Sequence, residues 1–347
     1  MNRTLLQGVR VIELAGLAPV PHCGMVLADF GASVMLIEKP NDKDDAAMEQ
    51  RLAGRKTRQG LDLRSSEDRT KLRQLCRDSD VLLDPYRPGV LEKMGLDPVE
   101  LLEENKGLVV CRLTGYGQTG PLAQEAGHDI NYVAITGLLP TISGHSCHRP
   151  TPPVNLLADF AGGGLTAAFG IVAALLKREK NGGHGCIIDC SMSEGLSYLA
   201  SFVHRYHDIE HLWTQPYAAF SGDCPIYRTY ETKDKKWVAV GALEPKFNST
   251  LFEILGMEKN MADMYADPAG LTAEMEQIFK GKTRDEWVAL FEGKNACVSP
   301  VLDLDEAVEY RHNLERRNFT RDGDKSFPQP APRMYTKEEF RKLMSKL

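Results

Sequence analysis

The sequence predicts an α/β protein, with a large domain built on a parallel sheet and a smaller α+β domain after it. Three observations carry this. Short β-rich runs alternate with helical patterns through the first half of the chain. A glycine-rich helical run follows at 158–180, and from about 225 to 243 the texture changes to two alternating strands around a lysine-rich turn.

Taken in order, "GVRVIELAG" (8–16) reads as a strand ending in glycine, "PVPHCGMVLADFGA" as a helix with proline near its start, and "SVMLIEKP" (33–40) as a second buried strand. That is a βαβ unit, the start of a Rossmann-like domain. The polar segment at 41–60 clusters Arg51, Arg55, Lys56 and Arg58 and reads as a solvated loop. Beyond it come a strand at "LDL", a helix over 66–78, a strand at "DVLLD", a helix from "RPGVLEKMGL" and a strand at "GLVVCRLTG". In "ADFAGGGLTAAFGIVAALLKREK" the adjacent glycines permit close backbone approach, so this helix packs tightly. After the lysine-rich hairpin, "TRDE" (283–286) has the pattern of a capping box. The large domain is expected over 1–200, with 315–347 returning to it; 200–225 links it to a small domain at 225–312.

Composition narrows the function. The 347 residues carry a net charge of -6, so no global basic field suggests nucleic acid or an anionic membrane, and an anionic ligand needs a local basic cluster. The longest apolar stretch, "LTAAFGIVAALL" (165–176), is shorter than a bilayer requires. The eight cysteines are scattered and read as reduced thiols. His145, Cys147 and His148 invite a metal, but no second paired half with zinc spacing follows, so none is expected. Glu38 at the end of the second strand invites a ribose. The turn "LAGLAPVP" lacks G-x-G-x-x-G, however, and puts prolines where phosphate-cradling glycines belong, which argues against a dinucleotide.

Three titratable residues remain: His128 in "AGHDINY", Asp159 in "NLLADFAGGG" and Glu244 in "AVGALEPKF". Each sits beside glycine or at the end of an apolar element, where an α/β cleft would lie. Each could equally be a helix cap or an ion-pair partner. Residue types alone leave both readings open.

Six blocks in order, "GVRVIELAGLAPVPHCGMVLADFGASVMLIEKP", "DPYRPGVLEKMGLDP", "RLTGYGQTGPLAQEAGHDINY", "PPVNLLADFAGGGL", "VAVGALEPKF" and "NACVSPVL", resemble the alpha-methylacyl-CoA racemases of the family III CoA-transferase superfamily, from about residue 5 to 335. The resemblance implies an interlocked homodimer that moves the α-proton of a 2-methylacyl-CoA from one face to the other, as in branched-chain fatty-acid or bile-acid-type metabolism, with no cofactor beyond the substrate's own CoA. It implies His128 and Asp159 as the two acid/base groups, and Glu244, from a partner subunit's small domain, as the carboxylate that sets the histidine's basicity. The backbone N–H of Asp129 would meet the enolate oxygen. It further implies CoA contacts at Lys39, Arg55, Lys56 and Arg87, with Gly127 and Tyr132 near the pantetheine and thioester. Arg87 suits phosphate best, because a guanidinium can bind it with two parallel bonds.

Two rivals stand beside this. A family III CoA-transferase would use Asp159 as a nucleophile and form an acyl anhydride, but those enzymes lack histidine in the block that holds His128. A non-catalytic acyl-CoA-binding protein would not need His128, Asp159 and Glu244 together. The chain departs from the racemase pattern at "SGDCPIY" (221–227) and stops soon after "PAPRMYTKEEF", which bears on the acyl pocket and substrate range. It ends in Ser345, Lys346 and Leu347, a tripeptide read by the peroxisomal import receptor; a cytosolic or mitochondrial pool stays open.

Overall fold

The computed structural model describes residues 4–40, 50–144 and 149–345. His145, Cys147 and His148, and Lys346 and Leu347 of the terminal tripeptide, lie outside the described residues. The chain forms two compact units: residues 1–138, 152–201 and 330–347 make the larger, and residues 139–151 and 202–329 the smaller.

The larger unit is built on six parallel strands, β1 (Arg10–Leu14), β2 (Ser33–Glu38), β3 (Thr57–Gly60), β4 (Val81–Asp84), β5 (Val109–Thr114) and β6 (Cys186–Ser191). Their spatial order is β3-β2-β1-β4-β5-β6. The order reverses between β1 and β4, so a crevice opens at the carboxyl ends of those strands, where ligands bind in open α/β sheets. The central strands β4 and β5 are buried at every residue, as parallel strands covered on both faces must be.

One strand lies elsewhere than "LDL" suggests. Thr57–Gly60 pairs with Met35–Glu38, whereas Asp62 takes the side chain of Arg64 and its N–H donates to Asp68, turning the chain into a helix. Part of the supposed loop at 41–60 is therefore the edge of the sheet.

Around the sheet lie α1 (Pro19–Asp29), α2 (Ser66–Arg77), α3 (Val90–Lys93), α4 (Pro98–Glu104), α5 (Asp129–Ala134), α6 (Thr166–Lys180) and α7 (Met192–Leu199). Helix α4 starts where it does because Pro98 fits a first turn and the Asp97 carboxylate accepts the Val99 N–H at 2.7 Å. The glycine-rich run is not one regular helix. Leu156–Leu165 is a π-helical segment, and α6 continues from it. Wide turns of this kind collect at functional sites. The glycines let it touch α7: a Cβ on Gly195 would sit 2.0 Å from the Gly162 carbonyl oxygen.

Joined to α6, the segment Leu156–Lys180 is 25 residues long and contains an 18-residue window of mean hydropathy 1.6, long and apolar enough in length and composition to cross a bilayer. The apolar stretch at 165–176 is only part of it. Its contacts with α1, α7, β5 and β6, and the buried Asp159 it carries, make it a core helix of the α/β unit.

In the smaller unit, β7 (Tyr227–Glu231), β8 (Trp237–Gly241) and β9 (Val298–Pro300) form an antiparallel sheet in that order. The lysine-rich turn joins the first two. Helices α8 (Pro245–Leu255), α9 (Pro268–Phe279) and α10 (Arg284–Phe291) belong to the same unit. Tyr230 stacks on Phe279 at 4.8 Å, and Trp287 packs edge-on to that ring while its indole N–H donates to the Phe279 carbonyl. Thr283 and Glu286 close the capping box of α10. The sequence places this domain at 225–312; the compact unit also takes in 202–224, 313–329 and the excursion at 139–151.

Candidate active site

The loop that leaves β5 carries Tyr116 and the turn before α5, and α5 itself carries Tyr132. Tyr116 meets Tyr132 edge-to-face at 4.9 Å, and the Tyr132 hydroxyl donates to the Gly127 carbonyl. Gly127 can only be small here, because a Cβ would lie 2.7 Å from the Tyr132 ring. The next residue, His128, has extended backbone and ends the loop: its N–H donates to the Asn131 carboxamide at 3.1 Å, while its carbonyl accepts from Asn131. Backbone bonds fix the start of α5, and the exposed imidazole is left to face outward.

Asp129 points the other way. It is 1% exposed, and its Oδ1 accepts the N–H groups of Ala158 and Asp159 at 2.7 and 2.9 Å. This bond pair ties α5 to the first turn of the π-helical segment and brings His128 and Asp159 into one site. Asp159 is buried, and the Asn155 amide reaches its Oδ2 at 3.5 Å. Burial first, and then the negative charge of Asp129, push the Asp159 carboxyl up to about 6, against a smaller opposing pull from His128. Tyr132 is pushed up to about 12, mainly by burial and further by Asp159.

Arg87 follows β4 in the loop "PYRPG". It is exposed, donates to the Gln124 carbonyl at 3.0 Å and acts electrostatically on Tyr132, so it belongs to this cluster. Its loop is held from below: Asp84 accepts the Tyr86 N–H at 2.8 Å and the Arg112 guanidinium at 2.9 Å, and Arg112 also binds Glu92.

The other cations are placed differently. Lys39 is exposed just past the carboxyl end of β2, and Arg55 is exposed while paired with Asp29 at 3.0 Å. Lys56 is buried. Its ammonium lies 2.7 Å from both carboxylate oxygens of Glu13 and donates to the Pro21 carbonyl at 2.8 Å, so it presents no charge to a phosphate in solvent. Glu244 lies in the smaller unit at the start of α8. Its carbonyl accepts from Phe247 and Asn248, but its side chain makes no capping bond and is exposed.

Sequence reasoning missed several residues of the larger unit. Glu13 is fully buried in β1 and pushed by burial up to about 7; a charged residue inside "VIEL" was the available signal. His22 stands edge-on to Phe160 at 5.0 Å, its Nδ1 buried without a hydrogen bond and its pKa lowered by burial. Val154 and Asn155 take left-handed backbone, φ 49° and 60°, just before the segment that carries Asp159. A left-handed asparagine is ordinary, but a β-branched valine there is strained. A cavity of about 300 Å³ at the opposite, amino-terminal ends of the strands is lined by Arg10, Asp80, Asn105 and Arg178, with Arg178 and Asp80 paired at 2.9 Å. It lies far along the strands from His128 and Asp159.

Among known families, the model of CoA-transferase family III matches residues 6–343. A CaiB/baiF CoA-transferase family protein of Caenorhabditis elegans is 55% identical, covering 98% of each chain. The alpha-methylacyl-CoA racemase of Mus musculus is 46% identical over 94% of this chain and 86% of its own. Among solved structures, a protein from Mycobacterium tuberculosis superposes with a TM-score of 0.77 at 26% identity, covering 95% of this chain and 92% of that one.

Proposed function

The chain belongs to the CoA-transferase family III, and from that premise we propose that it is a racemase of 2-methylacyl-CoA thioesters. The observation that carries the reading is the joining of His128 and Asp159 through the Asp129 carboxylate. An imidazole and a raised carboxyl group in one site are what proton removal on one face and return on the other require. Identity of 46% to a racemase over nearly the whole chain supports the same choice.

In the forward stroke one of the pair takes the α-proton. The C–H electron pair moves into the thioester, whose carbonyl oxygen becomes an enolate oxygen. The backbone N–H of Asp129, first in α5 and without a helical carbonyl to bond, is the donor assigned to that oxygen. The other member then delivers its proton to the opposite face, and the enolate collapses to the thioester of inverted configuration. Roles exchange in the reverse direction. The steps call on no metal or nicotinamide.

Arg87 is assigned to a CoA phosphate, with Lys39 and Arg55 as flanking cations; Gly127 and Tyr132 border the thioester. Glu244, exposed at the start of α8, is assigned to the His128 of a partner subunit. A homodimer fits the apolar stripe formed by Leu165, Phe169, Val172 and Leu176 at helical spacing, of which Phe169 is 75% exposed on a single chain. The terminal Ser345-Lys346-Leu347 supports delivery to the peroxisome.

The test is incubation of a single enantiomer of a 2-methylacyl-CoA in deuterated water with no acyl acceptor. Deuterium at the α-carbon together with loss of configuration is expected. Acceptor-dependent CoA transfer without exchange would establish the transferase reading, with Asp159 as nucleophile, and bound thioester with neither activity would establish a binding protein.

A further inference from the structure

Asp129 enters the reaction above through its backbone alone, yet its side chain is buried and bonded beside Asp159. It is 1% exposed, its Oδ1 bridges the N–H groups of Ala158 and Asp159, and its Oδ2 is buried with no hydrogen-bond partner. The turn it holds is strained, with left-handed Val154 and Asn155 immediately before it. Such backbone persists only where surrounding contacts over-determine it, and these two bonds are contacts of that kind.

We infer that the Asp129 carboxylate is a positioning residue for Asp159: it fixes the turn that presents Asp159 and sets a second buried negative charge beside it, so that Asp159 and an imidazole can hold one proton on nearly equal terms. The inference rests on the two-base reading and deepens it. A racemase must run both strokes, so each member must serve as acid and as base. An ordinary aspartate and an ordinary imidazole differ in proton affinity by several hundredfold or about that. With that gap, the stroke that needs protonated aspartate would start from a rare state. Burial narrows the gap first and the like charge of Asp129 narrows it further, and among the described residues no group hydrogen-bonds the Asp129 Oδ2.

The other groups around Asp159 leave this role to Asp129. From α5 come His128, which pulls the other way, and Tyr132. From α1, His22 lies against Phe160, with Lys56 acting on it electrostatically while paired to Glu13. Cys190 on β6 approaches the Gly163 carbonyl, Arg112 on β5 is engaged by Asp84 and Glu92, and Glu194 on α7 is exposed.

The test uses the full-length protein with ¹³C-carboxyl-labelled aspartate, the Asp159 signal being assigned by its loss in Asp159→Asn. In the wild type that signal should titrate near pH 6. In Asp129→Asn the amide oxygen can still accept both N–H groups, so thermal stability at neutral pH should hold. The Asp159 titration should nevertheless fall by on the order of one pH unit. The acid limb of kcat/KM should fall equally for the one enantiomer that Asp159 deprotonates. An Asp159 signal titrating near 4 in the wild type would overturn the inference, as would an Asp129→Asn profile that superimposes on the wild type. The wild-type titration needs no turnover, so a protein that shows no α-exchange would defeat the racemase reading while the titration still decides this one.

Discussion

Lys56 and Glu13, 43 residues apart in sequence, form a buried ion pair in which the ammonium lies 2.7 Å from both carboxylate oxygens. The pair fastens the edge of the sheet to its first strand, and Lys56 also binds the carbonyl of Pro21 in α1. Removing one partner strands the other charge in the core, which typically costs about 3–5 kcal/mol. Lys56→Met should therefore lower the unfolding free energy read from denaturant melts by an amount of that order, and the double variant with Glu13→Gln should recover part of it. A Lys56→Met protein with the wild-type midpoint and weakened acyl-CoA binding would instead make Lys56 a phosphate ligand.

That lysine shows where sequence reasoning stops. The strand alternation, the helix start at Pro19 and the capping box at Thr283 were legible because each is a local pattern of residue types. The side-by-side basic residues at 55 and 56 look alike in sequence, yet Arg55 stays outside with Asp29 while Lys56 turns inward. What separates them is a glutamate in a distant strand, and no local pattern encodes that distance. The site behaves the same way. His128 and Asp159 could be named from their blocks, but the bond that joins them runs through the neighbour of the first to the backbone of the second. The π-helical turn was hidden because its glycines suit any tight helix.

Asp159 should lower stability at neutral pH. Its folded pKa, about 6, lies above the ordinary carboxylate value, chiefly through burial and then through Asp129. A raised group contributes stability below its unfolded pKa, near 4, and that contribution is lost as pH rises through 6. Asp159→Asn carries no such charge. It should be more stable than the wild type by about 1–3 kcal/mol at pH 7.5, indistinguishable from it below pH 4, and inactive in α-proton exchange. Denaturant melts at the two pH values read this directly, and an equal difference at both would remove the electrostatic account.

A methyl group at residue 115 should reach the site without touching either base. A Cβ on Gly115 would sit 2.1 Å from the Tyr132 ring, closer than packed atoms allow. Tyr132 must then shift, loosening its bond to the Gly127 carbonyl one residue before His128. Gly115→Ala should cost about 1–3 kcal/mol and sharply lower exchange. If exchange survives that loss of stability in full, Tyr132 does not hold the loop that presents His128.

Arg87 should act on binding more than on chemistry. Its guanidinium is exposed and, among the described residues, has one hydrogen bond, to the Gln124 carbonyl, which leaves most of its donors for a phosphate. Arg87→Ala should raise KM for acyl-CoA roughly ten- to hundredfold, weaken the dependence of KM on salt, and change kcat much less. Steady-state kinetics across a salt series measure all three. A fall in kcat at constant KM would assign Arg87 to the loop before His128 rather than to CoA.

Subunit mixing tests whether Glu244 serves a partner. If each site takes His128 from one subunit and Glu244 from the other, a dimer of one His128→Ala chain and one Glu244→Gln chain has two unlike sites. One combines both defects. The other draws its histidine from the Glu244→Gln chain and its glutamate from the His128→Ala chain, and is intact. Two feeble parents, unfolded and refolded together, should then recover exchange well above either alone. Were each site built within one chain, every site in the mixture would carry one defect, and mixing could restore nothing. Phe169→Glu, which places a charge on the exposed apolar stripe of α6, should abolish the recovery by keeping the chains apart, with sedimentation reporting the monomer.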